Sequence, residues 1–147
     1  MEELFELRSY IEKRQYNKAL NLIGEMEEMS RDDKINKIAS LLEILLLHSI
    51  KQQAEKRTTK SWEASVKNAL RQIVSTNKPR KAGGYYLGSA ELQEAISESF
   101  ERALTSASLE VFEGQFDESD HAEMIDKKNI KQNALEMILQ KQEEKYS

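Results

Sequence analysis

The sequence predicts an all-α protein, a bundle of five or six helices with a long leucine-rich helix over about 31–55 at its centre. Apolar side chains recur at helical spacing along most of the chain. The 147 residues include one proline and five glycines, whereas a many-stranded sandwich or barrel needs turn residues about every 8–12 positions. A chain of this length fits one domain, so we expect a single helical domain over 1–147.

Three helices are predicted in the N-terminal half of the chain. The first carries Leu4, Leu7 and Ile11, and the second runs over about 17–29. Ser30 with Asp33 resembles a capping box, so we expect a helix boundary there and a new helix from about residue 31. The acidic run that ends at Asp33 is accordingly interpreted as a solvated turn. The apolar arc of the third helix is wide, which is typical of the most buried helix of a bundle.

The next predicted helix contains Trp62 and Ile73 at positions that share one face. Three hydroxyl residues could cap its start: Thr58, Thr59 and Ser61. Pro79 and three glycines predict a loop over 77–88. Ser89 can cap the helix that follows this loop.

Residues 113–147 predict a loop followed by a C-terminal helix, which Asp120 with Glu123 can cap. The apolar stripe of this helix comprises Ile130, Ala134, Met137 and Ile138. Such a stripe must be buried in the helix's own bundle or against a second copy of the chain. We therefore expect self-association through this helix.

Composition limits the chemistry that the chain can perform. The absence of cysteine excludes disulfides, zinc ribbons and a thiol nucleophile. Glu118 and His121 have Glu-x-x-His spacing, but a di-iron bundle needs two such motifs and two further glutamates. We expect no metal and no cofactor. His48, at the edge of the leucine-rich arc, is a candidate catalytic base with Glu43 or another carboxylate, although a structural hydrogen bond suits its position better.

Charge is distributed unevenly along the chain. Residues 1–50 carry a net charge of −3, residues 51–81 carry +7 and residues 82–147 carry −8. Six residues of the basic segment are candidate contacts to a protein partner or to nucleic acid: Lys56, Arg57, Lys60, Trp62, Lys67 and Arg71. Lys60, Lys67 and Arg71 share one helical face because they are spaced by seven and four.

Two interpretations of this basic segment remain open. It can pack beside the acidic C-terminal half of the chain, or it can bind nucleic acid weakly through phosphate contacts and base stacking. A sequence pI near 5.4 is far from that of a dedicated nucleic-acid domain. We expect the acidic half, rather than nucleic acid, to be the partner of this segment.

The leucine-rich region and the segment after it also carry a family resemblance. The residues responsible follow one another along the chain: Asn21-Leu22-Ile23, Leu41-Leu42, Leu45-Leu46, His48, Lys51, Gln53 and Ser61-Trp62. Over about 15–112 the sequence resembles the family catalogued as domain of unknown function 29. The resemblance implies a small, mainly cyanobacterial, all-helical domain without established activity. The charged C-terminal helix replaces the proline-rich end of that family.

The sequence favours a non-enzymatic protein-interaction or scaffold module. The alternatives are a weak electrostatic nucleic-acid binder that uses the 51–81 segment and an enzyme that uses His48. The most apolar run, Leu41–Leu47, is far shorter than the roughly 20 residues that cross a bilayer. The N-terminus has no basic start followed by an apolar stretch. We therefore expect no membrane association and a cytoplasmic location.

Overall fold

The fold is all-α, as the sequence predicts. The computed structural model describes residues 2–80, 83–110 and 125–147. These ranges contain five helices: α1 (Glu2–Glu12), α2 (Tyr16–Glu55), α3 (Lys60–Thr76), α4 (Ser89–Glu110) and α5 (Lys127–Tyr146). The same ranges contain no strand, only one isolated antiparallel bridge between Pro79 and Tyr85.

One continuous helix of 40 residues, α2, replaces two of the predicted helices. The predicted boundary at Ser30 is wrong, and so is the solvated turn before it, because residues 25–33 are helical. No proline interrupts this region, and serine and aspartate weaken a helix by only about 0.5 kcal/mol each relative to alanine. A capping box marks a helix start only where the residues before it are not helical, and here the residues on both sides of Ser30 are helical.

The chain divides into two compact units, one ending at Ile35 and the other spanning Asn36–Ser147. The first contains α1, a turn in which Arg14 has a left-handed φ of 60°, and the start of α2. Ala19 and Leu22 of α2 are buried in it, whereas α1 contributes no buried residue. The single domain expected from the sequence stays a prediction.

Four helices build the core of the second unit. α5 packs against both α4 and α3. The largest fully buried side chains of this core are Ile38, Leu42, Leu45, Leu46, Ile50, Ile73, Val74, Leu92, Ile96, Phe100 and Ile138. Ile130 and Ile138 of the predicted C-terminal stripe are buried here, and Met137 is half-buried. Burial within the same bundle removes the reason for expecting self-association through this helix.

Three helix starts show which side chains act as caps. Thr59 Oγ1 accepts the Trp62 N–H at 3.1 Å and caps α3. α4 begins at Ser89, so Gly88 occupies the cap position predicted for Ser89, and its N–H donates to Glu91 Oε1 at 3.4 Å. Asp126 caps α5 by accepting the Asn129 N–H at 3.1 Å. The predicted cap by Asp120 and Glu123 lies outside the described residues.

The connection between α3 and α4 is held by buried hydrogen bonds. The Asn77 side chain accepts the Leu87 N–H at 2.8 Å and donates both to the Leu87 carbonyl at 2.9 Å and to Gln142 Oε1 at 2.8 Å. Gly83 and Gly84 have φ values of 104° and 70°, which residues with a side chain rarely adopt. The predicted loop is therefore present, and Asn77 ties both of its ends to α5.

The continuity of α2 is tested by Ser30→Pro. Proline inside a helix removes a hydrogen bond and clashes with the preceding turn, so we expect a loss of roughly 3 kcal/mol in the free energy of unfolding and a fall in helical ellipticity. Ser30→Ala is the matched control and should leave the urea midpoint almost unchanged. If a new helix started at residue 31, position 30 would lie before its first turn, where proline removes no hydrogen bond inside the helix. Equal stability of the two variants would therefore contradict a continuous α2.

Candidate functional site

The exposed face of α3 presents a row of cations. Lys60, Lys67 and Arg71 are all exposed, and their spacing puts them on one side of the helix. The opposite side buries Ala69 and Ile73 in the core. Eleven residues separate the first cation from the last, so the row extends over about 16 Å. Core packing thus fixes the direction in which these charges point.

These three cations lack an acidic partner among the residues that the structure describes. Within those residues, a single ion pair joins the basic segment to the acidic C-terminal half, between Lys51 Nζ and Glu110 Oε2 at 3.2 Å. Lys51 is mostly buried, whereas the row on α3 faces solvent. Among the described residues, the acidic half neutralises Lys51 at the start of the basic segment and not the exposed row on α3.

Trp62 is engaged by the chain's own cations. The Lys51 ammonium lies 4.9 Å and the Arg57 guanidinium 4.7 Å from the centre of its ring, distances at which cation–π attraction operates. Arg57 also pairs with Glu55 at 2.9 Å. Lys56, with a left-handed φ of 53°, is exposed at the turn between α2 and α3. The predicted contact residues therefore divide into exposed cations outside these contacts (Lys56, Lys60, Lys67, Arg71) and an Arg57–Trp62 pair, in which Arg57 is exposed but already engaged.

An amide-lined cleft of about 550 Å³ lies between α2, α3 and α5. The amides around it are Gln52, Gln53, Asn129, Asn133 and Gln140. Many bind one another or nearby polar groups: Gln53 donates to Asn129 at 3.4 Å, and Asn133 donates to Asn129 at 3.3 Å. Sequence reasoning missed this cleft. The spacing of Asn129 and Asn133, one helical turn apart, is its only local signal.

His48 is half-buried in α2, and no carboxylate among the described residues binds it as catalysis would need. Its Nδ1 is buried and makes no hydrogen bond within the described part of the chain. Glu43, the suggested partner, instead accepts from Arg102 at 3.3 Å. Burial lowers the pKa of His48, the Lys51 charge lowers it further, and the Glu110 carboxylate opposes both effects.

Two negative findings concern metals and membranes. In residues 2–80, 83–110 and 125–147, no group of three or more acidic or histidine side chains is arranged to hold a metal ion. Glu118 and His121 lie outside these ranges. None of the described helices combines the length and the apolar character that crossing a bilayer requires.

The contacts around Trp62 predict the effect of Arg57→Gln. This change removes a cation–π contact and an exposed ion pair, so we expect a loss of about 0.5–1 kcal/mol in the free energy of unfolding. We also expect a shift in the emission of Trp62, the only tryptophan. Lys56→Gln removes a neighbouring exposed charge with no ring contact and should change neither. If the two variants behave alike, Arg57 does not stabilise Trp62.

Burial of His48 predicts how stability depends on pH. Because its pKa is lowered on folding, the unfolded chain binds more protons below the ordinary value of about 6.5. The resulting contribution to stability is full above that pH and is lost as the pH falls through the lowered pKa. Urea unfolding should therefore show the wild type losing more stability than His48→Gln between about pH 7.5 and pH 5. Parallel pH profiles would show that His48 titrates normally in the folded chain.

Comparison with known proteins supports the resemblance noted from the sequence. No curated protein and no solved structure matches this chain. The match of a family model extends somewhat beyond the predicted 15–112 at both ends. Because this match covers most of the chain, residues 10–124, the protein belongs to the family described as Domain of unknown function DUF29.

Proposed function

We propose that this protein is a cytoplasmic, non-enzymatic interaction module that binds an acidic surface of another protein through the exposed cations of α3. The observation that carries the proposal is the exposure of Lys60, Lys67 and Arg71 on one face, without an acidic partner among the described residues. Lys56 lies at the turn before this helix and extends the set of exposed charges.

This row of cations is suited to binding an acidic surface by electrostatic complementarity. Because the cations stand on a rigid helix, binding costs the rotamer freedom of their side chains and little else. Their charge accelerates the approach of an oppositely charged surface. The core side of α3, which includes Ile73, holds the row in place. Binding of this kind is strongest at low salt and weakens as ionic strength rises.

The catalytic alternative has less support. Its candidate base, His48, has no carboxylate partner among the described residues, and Glu43 is paired with Arg102. A general base needs a substrate proton within hydrogen-bond reach and usually a second group that orients it.

Nucleic-acid binding by the same cations is the second candidate function. The exposed row on α3 could contact phosphates. Base stacking would need free aromatic rings, yet Trp62 already contacts Lys51 and Arg57, and Tyr85 packs edge-on against Tyr146 at 6.2 Å. The third ring near the basic segment, Tyr86, has the Arg80 guanidinium 5.7 Å from its centre. Phosphate contacts through the α3 row are what remains there, made by a chain whose net charge is −4. A protein partner is the better-supported candidate.

The proposal is tested by reversing the charges of the row. A variant with Lys60→Glu, Lys67→Glu and Arg71→Glu is compared with a control that reverses Lys37, Lys128 and Lys141, three exposed lysines elsewhere. Both variants change the net charge by the same amount. The immobilised proteins are incubated with nuclease-treated extract of the native host at low salt, and the retained proteins are identified by mass spectrometry.

We expect acidic proteins to be retained by the wild type and the control and lost from the α3 variant. Equal retention by all three proteins would contradict the proposal. In parallel, labelled RNA and single-stranded DNA are titrated by fluorescence anisotropy at low salt. Micromolar binding that only the α3 variant loses would favour the nucleic-acid alternative.

A further inference from the structure

The described residues that line the amide-lined cleft all belong to the second unit, and α2 provides one wall. Gln52 Nε2 donates to Thr58 Oγ1 at 2.8 Å. Gln53 donates to Asn129 Oδ1 at 3.4 Å, and its own side-chain oxygen accepts the Asp126 N–H. These bonds connect the end of α2 to the start of α5. This wall of the cleft is therefore held in place before any ligand binds.

Another wall of the cleft is a row of polar side chains on α5. Four exposed residues follow one another there at spacings of four, three and four: Asn129, Asn133, Glu136 and Gln140. These spacings place the row on one face of the helix, over eleven residues or about 16 Å. Ile130, beside this face, is buried and fixes the direction in which the row points.

Much of the hydrogen-bonding capacity of this α5 row is uncommitted. A primary amide offers two donors and one acceptor. The oxygen of Asn129 accepts from Gln53 and, at 3.3 Å, from Asn133. Within the described part of the chain, the Asn129 NH₂ group and the Asn133 oxygen have no partner, and the Gln140 side chain makes no hydrogen bond. The row therefore presents both donors and acceptors to a ligand.

The charge of the cleft indicates which ligands suit it. Of the described residues around it, Glu136 alone is charged and none is aromatic. Gln132 donates to Glu136 Oε1 at 3.0 Å and orients this carboxylate. A phosphate or carboxylate ligand would be repelled by Glu136, and a nucleobase would lack a ring on which to stack. The cleft is suited to a neutral series of donors and acceptors that carries one positive charge.

The length of the α5 row matches an extended peptide. A strand rises about 3.3 Å per residue, so five residues cover the ~16 Å of the row. Backbone groups on one side of a strand recur every two residues, or about 6.6 Å. Asn129 and Asn133 are separated by about 6 Å along the helix axis, and so are Glu136 and Gln140. The volume of the cleft, about 550 Å³, lies within the range of about 300–1,000 Å³ that is usual for ligand sites.

We propose that the cleft between α2, α3 and α5 binds an extended peptide segment of another protein. The backbone of this segment lies along the α5 row, and a lysine or arginine side chain of the segment pairs with Glu136. Val66 and Met137, both half-buried, contact its apolar side chains. Backbone hydrogen bonds supply affinity in such complexes, and side-chain sites supply selectivity. The cleft shares no residue with the cations of α3, so either proposal can fail without the other.

The test selects a random heptapeptide library on the immobilised full chain and measures the enriched peptides by fluorescence anisotropy. We expect micromolar binding of peptides that contain lysine or arginine. Asn133→Leu with Gln140→Leu should weaken this binding about tenfold or more, because the amides that bind the backbone are lost. The matched control is Asn68→Leu with Gln72→Leu, two exposed amides of α3 that do not line the cleft.

Three results would overturn the proposal: no enriched peptide, equal losses in the two double variants, or enriched peptides that depend only on the α3 cations. The last result would support the function proposed for α3 alone. Helical ellipticity of each variant, measured beside the binding, should match that of the wild type, because all four substituted residues are exposed.

The position of the basic side chain is tested by charge exchange. Glu136→Lys should weaken a lysine-containing peptide about tenfold, and replacing that lysine by glutamate should restore binding to this variant. The control is Glu143→Lys, an exposed position of α5 outside the cleft, which should change binding little. Equal effects at the two positions, or no recovery, would overturn the pairing with Glu136.

The backbone contact is tested by methylating the backbone nitrogens of the peptide at alternate residues. Alternate N–H groups of an extended segment point to opposite sides, so one set of methylations should weaken binding about tenfold and the other set should change it little. Equal effects of the two sets, or no effect of either, would overturn binding of an extended backbone along the α5 row.

Discussion

The buried side chain of Asn77 connects three parts of the second unit by hydrogen bonds. It is completely buried and makes three hydrogen bonds, two to the backbone of Leu87 and one to Gln142. Leaving one of these buried polar groups without its hydrogen bond costs about 1–3 kcal/mol. They join the end of α3, the approach to α4 and the last turns of α5. They add to the burial of Ala69 and Ile73, which fixes the direction of α3 and of its cations.

Local patterns explain which parts of the fold could be predicted. Apolar spacing locates α3, α4 and α5, because the core selects that period directly. It also locates α1, although no residue of α1 is buried. The Ser30 signal is equally local but misleading, since a capping sequence inside a helix looks the same as one at a boundary. The Asn77 contact could not be predicted, because its partner Gln142 lies 65 residues away and no spacing rule connects them.

The candidate site also has one part that could be predicted from the sequence and one part that could not. The common face of Lys60, Lys67 and Arg71 follows from helix geometry and could be predicted. The contact of Trp62 with Lys51 could not, because it joins two helices across a turn. That contact changes the interpretation of the basic segment: its aromatic ring stabilises the corner between α2 and α3, while the charges beyond it remain available to a partner.

Recognition of a protein partner by the cations of α3 is tested most directly by cross-linking in native host cells. A lysine-reactive reagent samples Lys60 and Lys67 together with the exposed lysines Lys37 and Lys128, which lie outside the row. We expect cross-links to other proteins to concentrate at Lys60 and Lys67, and we expect the linked peptides to be acidic. Cross-links distributed evenly over the four lysines, or concentrated at Lys37 and Lys128, would contradict recognition through α3.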